Sequence, residues 1–358
     1  MPDDYAEICR SARYKFAGHG DRNFGVLLEA FADADPATSA DYYGVGPAIN
    51  DFETQMAALL GKPAAVFMPS GVMAQQIALR IWCDEAGVPQ VAYHPTCHME
   101  IHEEDALRQL HHLEPVLLGD ADRVFTLDDL KAVPGPTACL LIELPQREIG
   151  GQLPAWDDLV AIVEYARGQG MRTHLDGARL FETLPYYGKT AAEVGALFDS
   201  VYVSFYKGFG SIAGAILAGD DDFVAQAKVW KRRHGGDLIS LYPYVVAAKH
   251  HMAKHIDEMG RYWRYAQQVA GHFNEIPGVH TVPEAPVCNM FHVHFDYSVD
   301  KIQDALTQVI KETGVSIAAG IRGTDTGCMA EISFGDSFGL IPESVIIAAF
   351  EVLRSQLS

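Results

Sequence analysis

The sequence predicts an α/β protein built on a largely parallel sheet. Three observations carry this expectation. Short apolar runs alternate with segments of helical periodicity, several runs end in glycine turns, and one run passes through such a turn directly into a helix. In chain order, Asn50-Asp51-Phe52-Glu53 reads as an N-cap with an acidic third helical position, opening a helix to about residue 60 that Gly61-Lys62-Pro63 stops. Ala64–Met68 reads as a buried strand, Pro69-Ser70-Gly71 as a turn and 72–83 as a helix. Further strands are expected at Gln90–Tyr93, 116–118, 137–144, 173–176, 201–205 and 213–217, with helices at 155–169 and 222–234. One long helix is expected over 243–276, then a strand at 289–295, a helix at 301–313, a strand at 330–334 and a closing helix from 342. This order predicts a Gly-rich, irregular arm over 1–45, a large domain over 46–254 and a small C-terminal α+β domain over 255–358.

Composition narrows the function classes. The 358 residues are 49% hydrophobic and 21% charged, which excludes a disordered or fibrous chain. Lys and Arg number 27 against 47 Asp and Glu, and the net charge of −20 opposes nucleic acid and anionic lipid as partners. No window is long and apolar enough for a membrane span, and the first residues lack the apolar core of a secretion signal, so a cytoplasmic protein is expected. The six cysteines stand singly with no C-x-x-C pair, the pattern of reduced, packed thiols.

Three features of the expected large domain gain meaning together. Asp176 ends an apolar strand, where ligands of open α/β sheets sit, although an Asp there also reads as a turn or helix cap. Lys207 ends the next strand before Gly208-Phe209-Gly210, where partial desolvation lowers a lysine's pKa and favours imine chemistry. Ser70-Gly71-Val72 opens a helix whose free amides suit a phosphate. An anion cradle, an Asp at one strand end and, 31 positions on, a Lys at the next make the set that holds pyridoxal phosphate. The lysine forms the imine, the carboxylate keeps the pyridine nitrogen protonated, and the glycines let backbone approach the cofactor.

At these residues the sequence resembles the threonine aldolase / β-eliminating lyase family of fold-type I pyridoxal-phosphate enzymes, whose fold is that of the aspartate aminotransferases. The resemblance spans most of the chain: Asp41-Tyr42-Tyr43-Gly44 with Asn50 and Glu53, Phe67 to Gln75, His98 with Glu103, His174 to Phe181, and Lys207 to Gly210 with Gly214. It implies that Lys207 carries the cofactor, Asp176 pairs with the pyridine nitrogen, His98 stacks on the ring as a catalytic group and Arg179 lies beside it. Ser70, Gly71, Val72 and Ser204 complete the implied cofactor set. Retro-aldol cleavage of a β-hydroxy-α-amino acid to glycine and an aldehyde follows as the implied reaction. β-Elimination, transamination or decarboxylation is the alternative on the same scaffold. A homodimer or homotetramer with shared sites is implied too, and Lys231-Arg232-Arg233 reads either as charge for a phosphate across that interface or as a solvated helix face.

The departures concern the substrate. Where the family usually carries a histidine for the substrate hydroxyl, this chain has Gln146, and where an arginine often holds the substrate carboxylate it has Glu331. Arg179, Gln146, Tyr43 and Arg322 are therefore the expected substrate residues, with Arg13 a further candidate anchor. No metal is expected: His98 and His102 are four apart but lack the H-E-x-x-H order, and His292 and His294 share one face of a strand, where packing accounts for them. A metal-dependent hydrolase or a non-catalytic binding protein is the reading from other classes.

Overall fold

The computed structural model describes residues 2–32 and 34–358, so Met1 and Asp33 of the expected arm lie outside the described residues. The chain divides into two units, one of Asn23–Ile149 and Leu153–Asp257, the other of Met1–Arg22, Gly150–Gln152 and Glu258–Ser358.

The larger unit is built on seven strands: β1 Ala64–Met68, β2 Gln90–Tyr93, β3 Glu114–Leu117, β4 Cys139–Glu143, β5 Arg172–Gly177, β6 Ser200–Ser204 and β7 Ala215–Gly219. Their order is β1-β7-β6-β5-β4-β2-β3. β3, β2, β4, β5 and β6 run parallel, while β7 is antiparallel to both β6 and β1. β1 thus points the same way as the parallel strands, and the carboxyl ends of β1, β4, β5 and β6 share one edge. β6 and β7 are buried along their whole length, which is why they read as unbroken apolar runs. The helix Gly71–Ala86 follows β1 directly and packs Trp82 against Phe223, ring centroids 4.6 Å apart, and Trp82 Nε1 donates to Ser200 Oγ at 2.8 Å.

The smaller unit carries a four-stranded antiparallel sheet, ordered Ile321–Gly323, Cys328–Ser333, Met290–Phe295 and Val279–Val282. Its helices include Met259–Asn274, Val299–Thr313 and Glu343–Leu357. Among the described residues no helix is long and apolar enough to cross a membrane.

Three expectations of local structure need correction. The first helix runs over Pro47–Leu59, with Pro47 in its opening turn supplying a preset φ and no N–H to satisfy, so Asn50 and Glu53 lie inside it and form no cap. Glu53 instead accepts a hydrogen bond from the Phe67 amide at 2.8 Å. Residues expected as an irregular arm form the helices Pro2–Ser11 and Phe24–Ala32, and Tyr14–Lys15 pairs in parallel with Val315–Ser316, which places the first 22 residues with the C-terminal unit. The long helix expected over 243–276 is two, Tyr242–His255 and Met259–Asn274, joined by a 3-10 turn at Ile256–Glu258. Buried positions continue at helical spacing through the join, at Met252, His255, Met259 and Tyr262, so periodicity carries no mark of it.

Candidate active site

The shared strand edge of the larger unit frames a cavity lined by residues that include Gly71, Val72, Gln75, His98, Glu143, Arg147, Asp176, Arg179, Tyr202 and Lys207. Register explains the grouping. Glu143 stands beside Asp176, and Asp176 beside Tyr202, on the adjacent parallel strands β4, β5 and β6, so all three side chains leave the same face. Lys207 follows three residues after the end of β6.

Asp176 is 2% exposed. Its Oδ1 accepts from the Ala178 amide at 3.0 Å and its Oδ2 from Gln75 Nε2, one turn into the helix that Gly71 opens. Burial pushes its carboxyl up, against those two donors and the more distant charges of His98 and Lys207. Glu143 is pushed up as well, first by burial and then by the Asp176 carboxylate. It accepts from the amides of His98 and Arg147, each at 3.2 Å, and from Gln146 Nε2 at 3.3 Å. The buried Asp176 and half-buried Glu143 carboxyl groups therefore form a like-charge pair, an arrangement that holds negative charge only where a cation is supplied.

His98 Nε2 lies 2.6 Å from Glu103 Oε1, and its ring centroid is 5.0 Å from that of His102. His102 Nε2 is 2.9 Å from Glu148 Oε1, which also takes Arg147 Nη1 at 3.0 Å. Lys207 Nζ lies 5.6 Å from the Tyr206 ring centroid. Two glycines are required by close approach. A Cβ on Gly71 would strike the Tyr202 hydroxyl and come 2.7 Å from that of Tyr206, and one on Gly208 would strike the Glu182 carboxylate.

Of the residues expected from the sequence, Lys207, Asp176, His98, Arg179, Gly71 and Val72 line this one cavity. Ser70 caps the helix with its backbone only, and Ser204 is 1% exposed at the end of β6. Gln146 is buried, turned toward Glu143 and Thr96. Tyr43 lines a different pocket with Lys231 and Arg232, whose guanidinium stands 5.5 Å over its ring. Lys231 itself is buried and 3.2 Å from Asp237. Arg322 and Arg13 belong to the smaller unit, where Glu331 lies across from His292 in the sheet, 3.8 Å from its Nε2. Sequence reasoning missed Glu143, Gln75, Tyr202 and Arg147 as site residues. The first had a usable signal, since it is a carboxylate at the end of an apolar strand.

Glu182 is 2% exposed, and burial pushes its carboxyl from 4.5 to about 7. Between those values the folded chain binds more protons than the unfolded one, so this group's contribution to stability falls as pH rises through that window and stays reduced above it. Glu182→Gln is accordingly expected to raise unfolding stability by about 3 kcal/mol at most at pH 8, with the gain vanishing near pH 4.5. Urea denaturation at the two pH values checks this; an equal shift at both would rule it out.

Comparisons with known proteins agree with the geometry. The family model described as Beta-eliminating lyase matches residues 30–296. A Listeria monocytogenes EGD-E protein assigned as an L-allo-threonine aldolase has a structure that superposes with a TM-score of 0.98 at 52% identity, covering 100% of both chains. A second, from Exiguobacterium sp. 255-15 and assigned as an aromatic amino acid β-eliminating lyase/threonine aldolase, gives a TM-score of 0.96 at 52% identity, covering 98% of this chain and 99% of that one. The low-specificity L-threonine aldolase 1 of Arabidopsis thaliana is 24% identical over 305 residues, which span 82% of this chain and 84% of the relative. With its sheet, its strand-end carboxylate and lysine, and these relatives, the chain belongs to the threonine aldolase / β-eliminating lyase family of fold-type I enzymes.

Proposed function

We propose that this protein is a pyridoxal-phosphate-dependent lyase that cleaves β-hydroxy-α-amino acids between Cα and Cβ, giving glycine and an aldehyde. The observation that carries the reading is the convergence of Lys207, Asp176 and the helix start at Gly71 on a single cavity.

The residues present fit the cofactor. A buried carboxylate pushed up by desolvation, as Asp176 is, gains a partner in a protonated pyridine nitrogen. Gln75 Oε1 is buried with no hydrogen-bond partner, an acceptor left over at the same end of the cavity. The missing Cβ of Gly71 keeps the helix start open, and the amides of Gly71 and Val72, with Ser70 and Ser204 nearby, would take the phosphate. Lys207 would bond to the cofactor aldehyde, and Arg179 would lie beside the ring. When bound, the cofactor supplies an electron sink for negative charge developing at the substrate α-carbon.

The chain's own groups then do the following. Asp176 would keep the ring nitrogen cationic. His98 would stack on the ring and, with Nε2 2.6 Å from Glu103 Oε1, would present Nδ1 to accept the β-hydroxyl proton. Gln146 holds Glu143 and so acts by positioning the Glu143 carboxyl rather than at the substrate hydroxyl itself. A homodimer or homotetramer belongs to this reading, supported by the exposed apolar side chains Phe24, Tyr42 and Val45 at 71%, 70% and 69%.

The test is one preparation assayed three ways. The cofactor-loaded protein is incubated with threonine, allo-threonine and phenylserine, products are identified, and light scattering reads the mass. Aldehyde with glycine supports the reading. Ammonia and a keto acid without aldehyde would move it to β-elimination, and a monomer would remove the shared-site expectation.

A further inference from the structure

The cavity holds one cation that neither the sequence motifs nor the cofactor requires. The substrate brings a carboxylate into a space already bordered by Asp176 and Glu143, and a desolvated carboxylate needs a hydrogen-bonded cation. The Lys and Arg side chains lining that space are Lys207, Arg179 and Arg147. Lys207 would hold the cofactor aldehyde until the substrate amine displaces it, and is committed to that exchange rather than to a fixed anion. Arg179 has its place beside the cofactor ring in the aldolase reading, and its charge also acts on the buried Glu182 carboxyl.

Arg147 is fixed at both ends. Its backbone amide donates to Glu143 Oε1 at 3.2 Å, and its Nη1 donates to Glu148 Oε1 at 3.0 Å. Glu148 is in turn held by His102 Nε2 at 2.9 Å, and the Arg147 side chain is only 25% exposed. A guanidinium oriented in this way loses little freedom when it receives a planar anion.

We propose that Arg147 binds the α-carboxylate of the substrate and is the specificity-determining residue for α-amino acids over simple amines at this site. The proposal rests on the aldolase reading for the identity of the substrate. Arg147 supplies the charge that Glu331, in place of the family's usual arginine, does not. Because Glu148 and His102 set the direction of the guanidinium, they are positioning residues for the same contact.

The test uses the cofactor-loaded protein and two amines that differ by the carboxylate alone, glycine and methylamine, titrated while the visible absorption of the cofactor is followed. Arg147→Gln is expected to weaken glycine binding roughly 10- to 100-fold, with methylamine changed by less than about twofold. Arg147→Lys, which keeps the charge without the fork, is expected to recover part of the loss. Unchanged glycine affinity in Arg147→Gln would overturn the proposal, as would equal weakening of both amines, which would make Arg147 a structural prop. Glycine binding by the unsubstituted protein that depends on Arg147, without aldehyde release from any threonine isomer, would sustain the proposal and defeat the aldolase reading.

Discussion

Lys207→Ala is expected to lower turnover of β-hydroxy-α-amino acids by roughly 10³-fold or more and to abolish borohydride-fixed cofactor. Two losses combine. Without the amine, the cofactor aldehyde is held only through its phosphate and ring contacts, and the substrate amine must add to a free aldehyde rather than displace an existing bond. On the proposed reaction the variant also removes the amine that, once displaced, would carry a proton at the α-carbon. The fold has no comparable stake in this side chain. Lys207 is only partly buried, at the edge of the cavity and beyond the end of β6, whereas the packing of that segment comes from Phe205 and Phe209, both at 2% exposure or less. The far-ultraviolet circular dichroism should therefore be unchanged. Peptide mapping after borohydride reduction reads the covalent site directly. A reduced cofactor found on any other residue, or retention of more than about a tenth of the activity, would reassign the role.

Lys207 was legible because a strand buried on both faces leaves a nearly continuous apolar run, and the first charged residue beyond it stands out. Asp176 was legible by its place, a carboxylate just before Gly177 at the end of a strand whose one aliphatic residue is Leu175, and Gly71 because a glycine between a strand and a helix start marks close backbone approach. Glu143 ends β4 in the same manner, but its pairing with Asp176 is a matter of register between strands that lie some thirty residues apart in sequence, and no local pattern encodes it. Arg147 belongs to the short 3-10 turn after β4, where no periodicity says which way a side chain points. The association of Tyr14–Lys15 with Val315–Ser316 joins two-residue segments from opposite ends of the chain. Pairing that short leaves no alternation to detect. At Pro47 the signal was present, since a proline ahead of an apolar period marks a helix's first turn, and the capping residues further on were weighed in its place.

Asp176→Asn is expected to separate activity from stability in opposite directions. The substitution is close to isosteric, and its hydrogen bonds can be remade. The asparagine oxygen still accepts from the Ala178 amide, and its new NH₂ group meets Gln75, whose Oε1 lacks a partner and becomes the acceptor once that side chain turns over. What is lost is the charge. A protonated pyridine nitrogen facing a neutral amide is an uncompensated buried cation, so the ring sheds its proton and stops drawing electrons from the α-carbon. Breaking a buried pair in this way costs about 3–5 kcal/mol, and kcat is expected to fall roughly 10²- to 10³-fold while the cofactor remains bound through Lys207 and its phosphate. In the cofactor-free protein the sign reverses. Burial pushes both carboxyls up and Asp176 pushes Glu143 up further, so at neutral pH each ionised carboxylate weighs against folding, and the cost eases as pH falls toward their ordinary values. Removing one charge relieves both groups. The thermal midpoint of cofactor-free Asp176→Asn should thus exceed that of the unsubstituted protein at pH 8, and the difference should narrow near pH 4. A variant that lost activity and stability together would mean that Asp176 serves the fold rather than the ring nitrogen, whereas the divergence is what a site strained for catalysis produces.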